Sequence, residues 1–217
     1  MYEQKLYQAA SSPRKSFPYL QYTPQNVKEG EKLPLLIFLH GAGERGDDLD
    51  LVARHGYFKH ARAGKEYPFS MVGPQCPADK SWGCYIESLN EFLDYILRTL
   101  PVDPDRVYLT GLSMGGTGTW MWSIANPERF AAVAPVCGTG IYWYAGQLLH
   151  KPLWVFHGDK DDICLPIESI NMVESIRRRG GNPRFTLYPG VGHNAWEQAY
   201  SDPELVKWFT EQKRSSN

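Results

Sequence analysis

Three kinds of polar residue that act together in nucleophilic catalysis occur in order along the chain. Ser113 lies in the segment GLSMG at residues 111–115, acidic side chains crowd residues 159–162, and His193 follows Gly192. A serine hydroxyl is a weak nucleophile at neutral pH, so it needs a base within hydrogen-bond reach and a carboxylate that orients the base. The order serine, acid, histidine therefore predicts acyl transfer at Ser113.

Ser113 lies where a predicted strand turns sharply into a predicted helix. The apolar run 107–109 precedes it, and a stretch of helical character, 116–125, follows it. Such a turn holds the nucleophile in a strained conformation, and side chains beside it would collide with the neighbouring strand and helix. Gly111 and Gly115 meet this requirement, so we expect the Ser113 hydroxyl to stand clear of a sheet.

Short apolar runs alternate with longer stretches of helical period. Because the runs are apolar on both faces, they predict parallel strands that are covered by helices on both sides. The fold predicted is an α/β three-layer sandwich around a mostly parallel sheet, with 17–22 and the residues near 2–7 as an antiparallel edge pair. The core strands are expected at 35–39, 69–72, 107–109, 131–136, 153–156 and 185–188, and the helices at 88–100, 114–126, 167–179 and 203–213.

The chain length and the spacing of its elements predict one domain. A chain of 217 residues that is 42% hydrophobic can bury one large core, so residues 1–217 are expected to form a single domain. Only sixteen residues separate Val136 from Leu153, which is too few for a separate lid domain. We therefore expect an open site.

Charge and composition exclude several classes of partner. The formal net charge is -1 and the longest basic cluster is Arg177-Arg178-Arg179, so neither nucleic acid nor a membrane surface is an expected partner. No apolar run approaches the roughly 20 residues that span a bilayer, and the first residues do not resemble a signal peptide. A cytoplasmic location is expected for the chain as written, or a secreted one if a leader has been removed. Four scattered cysteines indicate reduced thiols, and the oligomeric state stays open.

Four ordered motifs resemble those of a known family. They are HGAGERG at 40–46, GLSMGG at 111–116, HGDKDD at 157–162 and GHNAW at 192–196. With these motifs the chain, from about residue 19 to 209, resembles the α/β-hydrolases, specifically small lidless carboxylesterases of the phospholipase/carboxylesterase, feruloyl-esterase and predicted-peptidase branches. The resemblance implies the α/β-hydrolase fold, with Ser113 as the nucleophile and His193 as general base and acid.

The resemblance implies an aspartate of the 159–162 loop as the group that orients His193. Members usually carry an aspartate, one variable residue, two apolar residues and a proline, but here the proline comes one position late, at Pro166. Counting forward from His157 favours Asp161, and counting back from Pro166 favours Asp162. We take Asp161 because it keeps the following helix in register, with Asp162 as the alternative acid.

The oxyanion of an acyl-transfer intermediate needs two backbone donors. One comes from the residue after the nucleophile and one from the loop after the first core strand. The candidates are the N–H groups of Met114 and Ala42, and Gly41 and Gly43 let the loop curl toward a substrate carbonyl.

The remaining aromatic and titratable residues divide between the pocket and the framework. Trp82 and Trp196 are the predicted substrate-binding residues, with Tyr142 and Trp143 as weaker candidates. His40 is expected to be structural, hydrogen-bonded to loop backbone, and Glu44 and Arg45 to pair locally. His55, His60 and His150 lack metal-ligand spacing, so no metal site is predicted.

The function predicted is that of a serine carboxylesterase without a cofactor. Its substrate would be a short-chain or aromatic acyl ester, either a small molecule or an ester linked to polysaccharide, and an acyl-enzyme would form. A serine peptidase and a catalytically silent binding protein are the alternatives. Residues 41–46 also spell a dinucleotide-binding glycine pattern, but the expected acidic residue about 20 positions on is missing, which argues against an NAD-dependent enzyme.

Overall fold

A computed structural model of the chain describes residues 1–12 and 16–214, and they form an eight-stranded sheet. The strand order is β1-β2-β4-β3-β5-β6-β7-β8, and every neighbouring pair from β4 to β8 is parallel. The strands are β1 (Tyr2–Tyr7), β2 (Phe17–Tyr22), β3 (Leu33–Leu39), β4 (Ser70–Pro74), β5 (Val102–Leu112), β6 (Ala132–Val136), β7 (Trp154–Gly158) and β8 (Arg184–Tyr188). The predicted α/β fold is confirmed.

Helices cover both faces of the sheet. They are α1 (Gly56–Arg62), α2 (Ile86–Thr99), α3 (Met114–Ala125), α4 (Pro166–Arg177), α5 (Trp196–Ser201) and α6 (Pro203–Thr210). Alternate residues of β3 show the division, because Leu35 and Ile37 pack with α2, α3 and α4, whereas Leu36 and Phe38 pack with α1, α5 and α6. Two cores therefore sandwich one sheet, as the doubly apolar strands predicted.

The predicted antiparallel edge pair is confirmed. Tyr2 pairs with Tyr22 and Tyr7 with Phe17, so β1 lies antiparallel to β2 along its full length. β2 in turn pairs antiparallel with β4. The parallel part of the sheet therefore begins at β4.

Three elements differ from the sequence prediction. α1 and α5 are short helices that the periodicity did not indicate, and β5 begins at Val102 rather than at residue 107. Val102 pairs with Leu33, and the register of the two strands is irregular beyond this pair. Residues 103–106, between Val102 and the predicted start at residue 107, include two aspartates and a proline. Charged and turn-forming residues obscured the first half of this strand.

The chain reverses its direction of travel across the sheet at β3 and β5. From β3 it moves to β4, which lies on the side of β2, and after crossing back to β5 it moves the other way through β6, β7 and β8. The loops that follow β3 and β5 therefore separate above the sheet and leave a crevice at its carboxyl edge, where ligands of open α/β sheets bind. No helix among residues 1–12 and 16–214 is long and apolar enough to span a bilayer.

Candidate active site

Ser113 occupies the turn between β5 and α3 in a strained conformation. Its φ is 53° and its ψ is -118°, outside the regions that residues with a side chain normally adopt. The turn is tight enough that a Cβ on Gly115 would lie 1.9 Å from the carbonyl oxygen of Leu39. Strain of this kind costs about 1 to 3 kcal/mol and persists where the surrounding structure fixes it.

His193 joins Ser113 to an aspartate. Its Nε2 lies 2.8 Å from the Ser113 Oγ, and its Nδ1 lies 2.8 Å from Oδ2 of Asp161. Since a carboxylate can only accept, Nδ1 carries the ring proton and Nε2 is free to accept the serine hydroxyl proton. The structure thus brings together three residues that lie 80 and 32 positions apart in sequence.

The carboxylate beside His193 is that of Asp161, and it is fully buried. Its Oδ1 accepts the backbone N–H groups of Ile163 and Cys164 at 3.0 and 2.9 Å. Its Oδ2 accepts from His193 and lies 3.1 Å from His157 Nε2. The Asp162 side chain is instead exposed. Pro166, which comes one position later than the proline of most family members, is the first residue of α4.

His157 supports this carboxylate from behind, a contact that the motifs did not predict. Its Nε2 faces two acceptors, the Asp161 Oδ2 and the Cys164 carbonyl oxygen at 2.8 Å, so it carries the proton. Its Nδ1 lies 2.7 Å from the Ser169 hydroxyl, which donates to it. Ser169, His157 and the Cys164 carbonyl oxygen therefore form a buried chain of hydrogen bonds, and the His157 ring lies against the Asp161 carboxylate that His193 contacts. The His-Gly pair at the end of β7 was its only signal in the sequence.

Cys137 is the second non-glycine residue with a positive φ, 50°, among those described. The backbone N–H groups of Gly158 and Ala195 donate to its sulfur, and burial raises the pKa of the thiol to about 12. Its sulfur lies within 4.8 Å of ligand atoms of His157 and Asp161, a spacing that a metal ion could share. The hydrogen bonds described above engage these atoms, so the cluster serves to fix Asp161.

The two predicted oxyanion donors lie at the start of helical segments. Met114 is the first residue of α3, and Ala42 is the first residue of a 3₁₀ turn that follows β3. Backbone N–H groups in a first helical turn have no acceptor within the helix, so they are available to an anion. The loops that carry them leave adjacent strands, since Leu39 of β3 pairs with Gly111 of β5.

His40 fixes the loop that carries Ala42, as the sequence analysis expected. Its Nε2 accepts the Cys76 backbone N–H at 2.9 Å, so Nδ1 carries the proton and donates to the Gly41 carbonyl oxygen at 2.6 Å. Burial lowers the pKa of His40 to about 4. The imidazole is therefore neutral at neutral pH and acts as a rigid bridge between two loops.

Arg45 and Gln75 make further contacts to the same loop. Arg45 Nε donates to the Ala42 carbonyl oxygen at 2.9 Å, and Gln75 Nε2 donates to the Glu44 carbonyl oxygen at 3.0 Å. Glu44 is buried and faces Arg54 and His55 at 3.9 and 3.8 Å. The expected pairing of Glu44 with Arg45 does not occur, because Arg45 instead reaches backbone carbonyls of its own loop and of Lys80.

Trp82, predicted to bind substrate, belongs to the framework. Only 2% of it is exposed, and it packs in the core between the sheet and α3. Its Nε1 donates to the His40 carbonyl oxygen at 2.9 Å, and its ring meets the His40 ring edge-on. The prediction is corrected on this point: Trp82 holds the residue that holds the oxyanion loop, and its ring has no face left for a substrate.

Trp196, the other predicted substrate-binding residue, lies beside His193. Its ring meets the His193 ring at 89° with 5.2 Å between centroids, and it also packs edge-on against His55. Its Nε1 is buried without a hydrogen-bond partner among the residues that the structure describes. The indole thus restricts the orientation of His193, and its role toward a substrate stays a prediction.

Comparisons with known proteins identify the family of the chain. The sequence profile of the dienelactone hydrolase family matches residues 86–207, more than half of the chain. A bifunctional acetylxylan esterase/xylanase of Neocallimastix patriciarum is 34% identical over 153 residues, which are 65% of this chain and 21% of the relative. The chain thus spans about a fifth of the length of that relative.

Two solved structures illustrate the fold. That of a thermostable esterase superposes with a TM-score of 0.86 at 29% identity, over 98% of this chain and 63% of the other. That of a ferulic acid esterase gives a TM-score of 0.74 at 20% identity, over 96% of this chain and 98% of the other. Profile, sheet order and superposition agree with the predicted superfamily, and the chain belongs to the dienelactone hydrolase family of α/β-hydrolases.

Proposed function

We propose that the protein is a serine carboxylesterase that hydrolyses short-chain or aromatic acyl esters through an acyl-enzyme. The observation that carries the proposal is the continuous hydrogen-bonded line from Ser113 through His193 to Asp161, with both contacts at 2.8 Å. The proposed oxyanion donors, Ala42 and Met114, stand beside it on neighbouring loops. The proposed unit is a single domain, residues 1–217, without a lid domain.

In the first half of the reaction, the ester carbonyl carbon is attacked by the Ser113 oxygen. His193 Nε2 takes the hydroxyl proton as the carbon–oxygen bond forms, and Asp161 stabilises the resulting imidazolium. The negative charge on the former carbonyl oxygen is met by the two backbone N–H groups, each worth about 3 kcal/mol of transition-state stabilisation. His193 then gives its proton to the leaving alcohol, and the acyl group stays on Ser113.

In the second half, water takes the place of the alcohol. His193 removes one proton from the water as its oxygen attacks the acyl carbon, and the same two N–H groups meet the charge again. Collapse of the intermediate returns the proton to Ser113 and releases the carboxylic acid. One ester and one water give one alcohol and one acid, and no cofactor takes part.

The relatives support an ester as the substrate. One is named for acetylxylan esterase and xylanase activities, and the solved structures include a thermostable esterase and a ferulic acid esterase. We propose by extension that the acyl group is small, such as acetyl, or aromatic, such as feruloyl, and that the alcohol is a small molecule or a polysaccharide.

The proposal is tested by comparing hydrolysis of p-nitrophenyl acetate, butyrate and octanoate by the wild type and the Ser113→Ala variant. We expect turnover that falls with acyl length and a loss of at least about 10³-fold in the variant. The matched control is Ser201→Ala, an exposed serine at the end of α5, which should keep wild-type turnover.

Each alternative has its own outcome. Faster cleavage of a matched anilide than of the corresponding ester would replace the proposal with a peptidase. Absence of turnover on any acyl substrate, with Ser113 unreactive toward a fluorophosphonate, would replace it with a silent binding protein.

A further inference from the structure

We infer that a groove between the segment Tyr142–Leu148 and helix α4 binds the sugar chain of a polysaccharide that carries the ester. The inference rests on the proposed function and adds a binding site for the alcohol part of the substrate. The groove has a volume of about 520 Å³, within the range of small-ligand sites. Its lining comprises Tyr142, Trp143, Asn171, Glu174, Ser175, Arg178 and Arg179.

One wall of the groove is aromatic and exposed. The Tyr142 and Trp143 rings lie 4.2 Å apart between centroids and are tilted by 33°, so they partly stack on each other. Trp143 is 70% exposed and Tyr142 37%, whereas the large aromatic residues elsewhere in the fold are mostly buried. An exposed aromatic surface with a polar rim marks a binding site. The flat C–H faces of pyranose rings pack well on such a surface.

The facing wall is polar and comes from α4. Asn171 offers an amide that both donates and accepts, Glu174 offers a carboxylate, and Arg178 offers five N–H donors. Sugar hydroxyls also donate and accept, so they can meet this set around their edges while the ring face lies on the tryptophan. The combination of one aromatic and one polar wall matches the two kinds of surface on a sugar ring.

The groove is held in shape without a ligand. The Ser175 hydroxyl donates to the Tyr142 carbonyl oxygen at 3.0 Å, and Arg179 donates to the Ser175 carbonyl oxygen at 2.9 Å. Gly140 packs so closely on α4 that a Cβ there would lie 2.5 Å from Met172 Cγ. The two walls are therefore fixed to each other, which lowers the ordering cost of binding.

The groove lies within reach of Ser113. The Thr139 backbone N–H donates to the Thr117 hydroxyl at 3.0 Å, and Thr117 is one helical turn beyond the nucleophile. Tyr142 follows Thr139 by three residues, so their Cα atoms lie at most about 11 Å apart. One polymer chain can therefore lie in the groove and present a decorated sugar to Ser113.

The polar wall distinguishes a glycan from other occupants. An apolar polyester, or the apolar face of a second copy of this chain, would cover Asn171 and Arg178 without satisfying them, and it would desolvate Glu174, which pairs with Arg177 at 3.3 Å. Burying unpaired charges is costly. The charges on α4 therefore favour a ligand rich in hydroxyl groups.

Binding is tested apart from catalysis in the Ser113→Ala background. Isothermal titration with soluble, deacetylated xylan should give a Kd about five- to twelvefold higher when Trp143→Ala is added, since a stacked ring contributes about 1 to 1.5 kcal/mol. Asn171→Ala should weaken binding by a smaller factor. The matched control is Tyr144→Ala, because Tyr144 is 59% exposed on the same segment but does not line the groove.

Catalysis gives the second readout, in the otherwise wild-type enzyme. The ratio of kcat/KM on acetylated xylan to kcat/KM on p-nitrophenyl acetate should fall about tenfold in Trp143→Ala and stay unchanged in Tyr144→Ala. Unaltered xylan binding by Trp143→Ala would overturn the inference. So would binding of the wild type to polyester particles but not to xylan, or a shift from dimer to monomer in the variant.

The experiments distinguish a wrong groove inference from a wrong proposed function. If Ser113→Ala keeps full esterase activity, the function fails, and the titrations still score the groove. If ester turnover depends on Ser113 but xylan binding ignores Trp143, the function stands and the groove inference is wrong.

Discussion

Two histidine–glycine pairs, each at or just beyond the end of a parallel strand, support the candidate site in different ways. His40 follows β3 and bonds only to backbone, with Gly41 on one side and Cys76 on the other. His157 lies at the end of β7, hydrogen-bonds to Ser169 and the Cys164 carbonyl oxygen, and places its Nε2 3.1 Å from the carboxylate of Asp161. His40 holds the loop that carries the backbone N–H of Ala42, whereas His157 lies against the carboxylate of Asp161. In the proposed reaction, the same dipeptide would thus support both the oxyanion side and the acid side.

The largest expected effect concerns the charge itself. Asp161→Asn removes the acceptor that sets the His193 tautomer, so kcat should fall about 10⁴-fold while KM changes little. Asp162→Asn is the matched control, since its side chain is exposed and His193 bonds to Asp161 instead, and it should keep activity within about twofold. Steady-state kinetics on p-nitrophenyl acetate measure both. The reverse ranking would move the triad acid to Asp162.

The next effect concerns the oxyanion side and is thermodynamic. Because burial lowers the pKa of His40 to about 4, the unfolded chain binds this proton near pH 6.5 while the folded chain does not. The stabilisation from neutral His40 is therefore complete above about pH 6.5 and lost as pH falls toward 4, by about 3 kcal/mol.

Urea unfolding from pH 4.5 to 7.5 measures this loss. A His40→Gln variant should have a shallower decline of unfolding free energy with falling pH, by up to about one proton in the slope. His150→Gln, at an exposed histidine, should follow the wild type. Parallel curves for His40→Gln and the wild type would show that His40 titrates alike in both states.

A smaller kinetic effect concerns His157. His157 Nε2 lies 3.1 Å from the buried carboxylate of Asp161, and loss of such a polar contact to a charge costs about 1.5 to 3 kcal/mol, so His157→Ala should lower kcat/KM by about 10 to 100-fold. His157→Gln keeps an N–H donor and should recover part of the loss. An equal fall in kcat/KM in both variants would mean that His157 only packs.

The smallest expected effect is a loss of stability when the contact between Trp82 and His40 is removed. Trp82→Phe keeps an aromatic ring, though a smaller one, and removes the N–H that donates to the His40 carbonyl oxygen. The buried oxygen then lacks that donor, which should lower stability by about 1 to 2 kcal/mol. Thermal unfolding measures the loss, and Trp143→Phe, at an exposed site, is the control. A larger change in KM than in stability would return Trp82 to the substrate pocket.

The sequence predicted what depends on local pattern. The strand–glycine–serine–helix segment placed Ser113 at the carboxyl edge of the sheet, and doubly apolar strands predicted the layers. Contacts that form only when distant segments pack together could not be predicted from the sequence. Ser169 contacts His157 only because α4 packs on β7. The sequence around Trp82 is compatible with a core residue and with a pocket residue, and only its contacts in the fold distinguish the two. Charged residues in the first half of β5 hid its true start at Val102.

The most direct test of the central claim is to find the acyl group on the enzyme. The protein is mixed with p-nitrophenyl acetate, quenched in acid within milliseconds to seconds, and digested for peptide mass spectrometry. We predict acetylation of the peptide that contains Ser113 and its absence from Ser113→Ala. Turnover without any acylated Ser113, or acylation at another residue that persists in Ser113→Ala, would contradict the proposed mechanism.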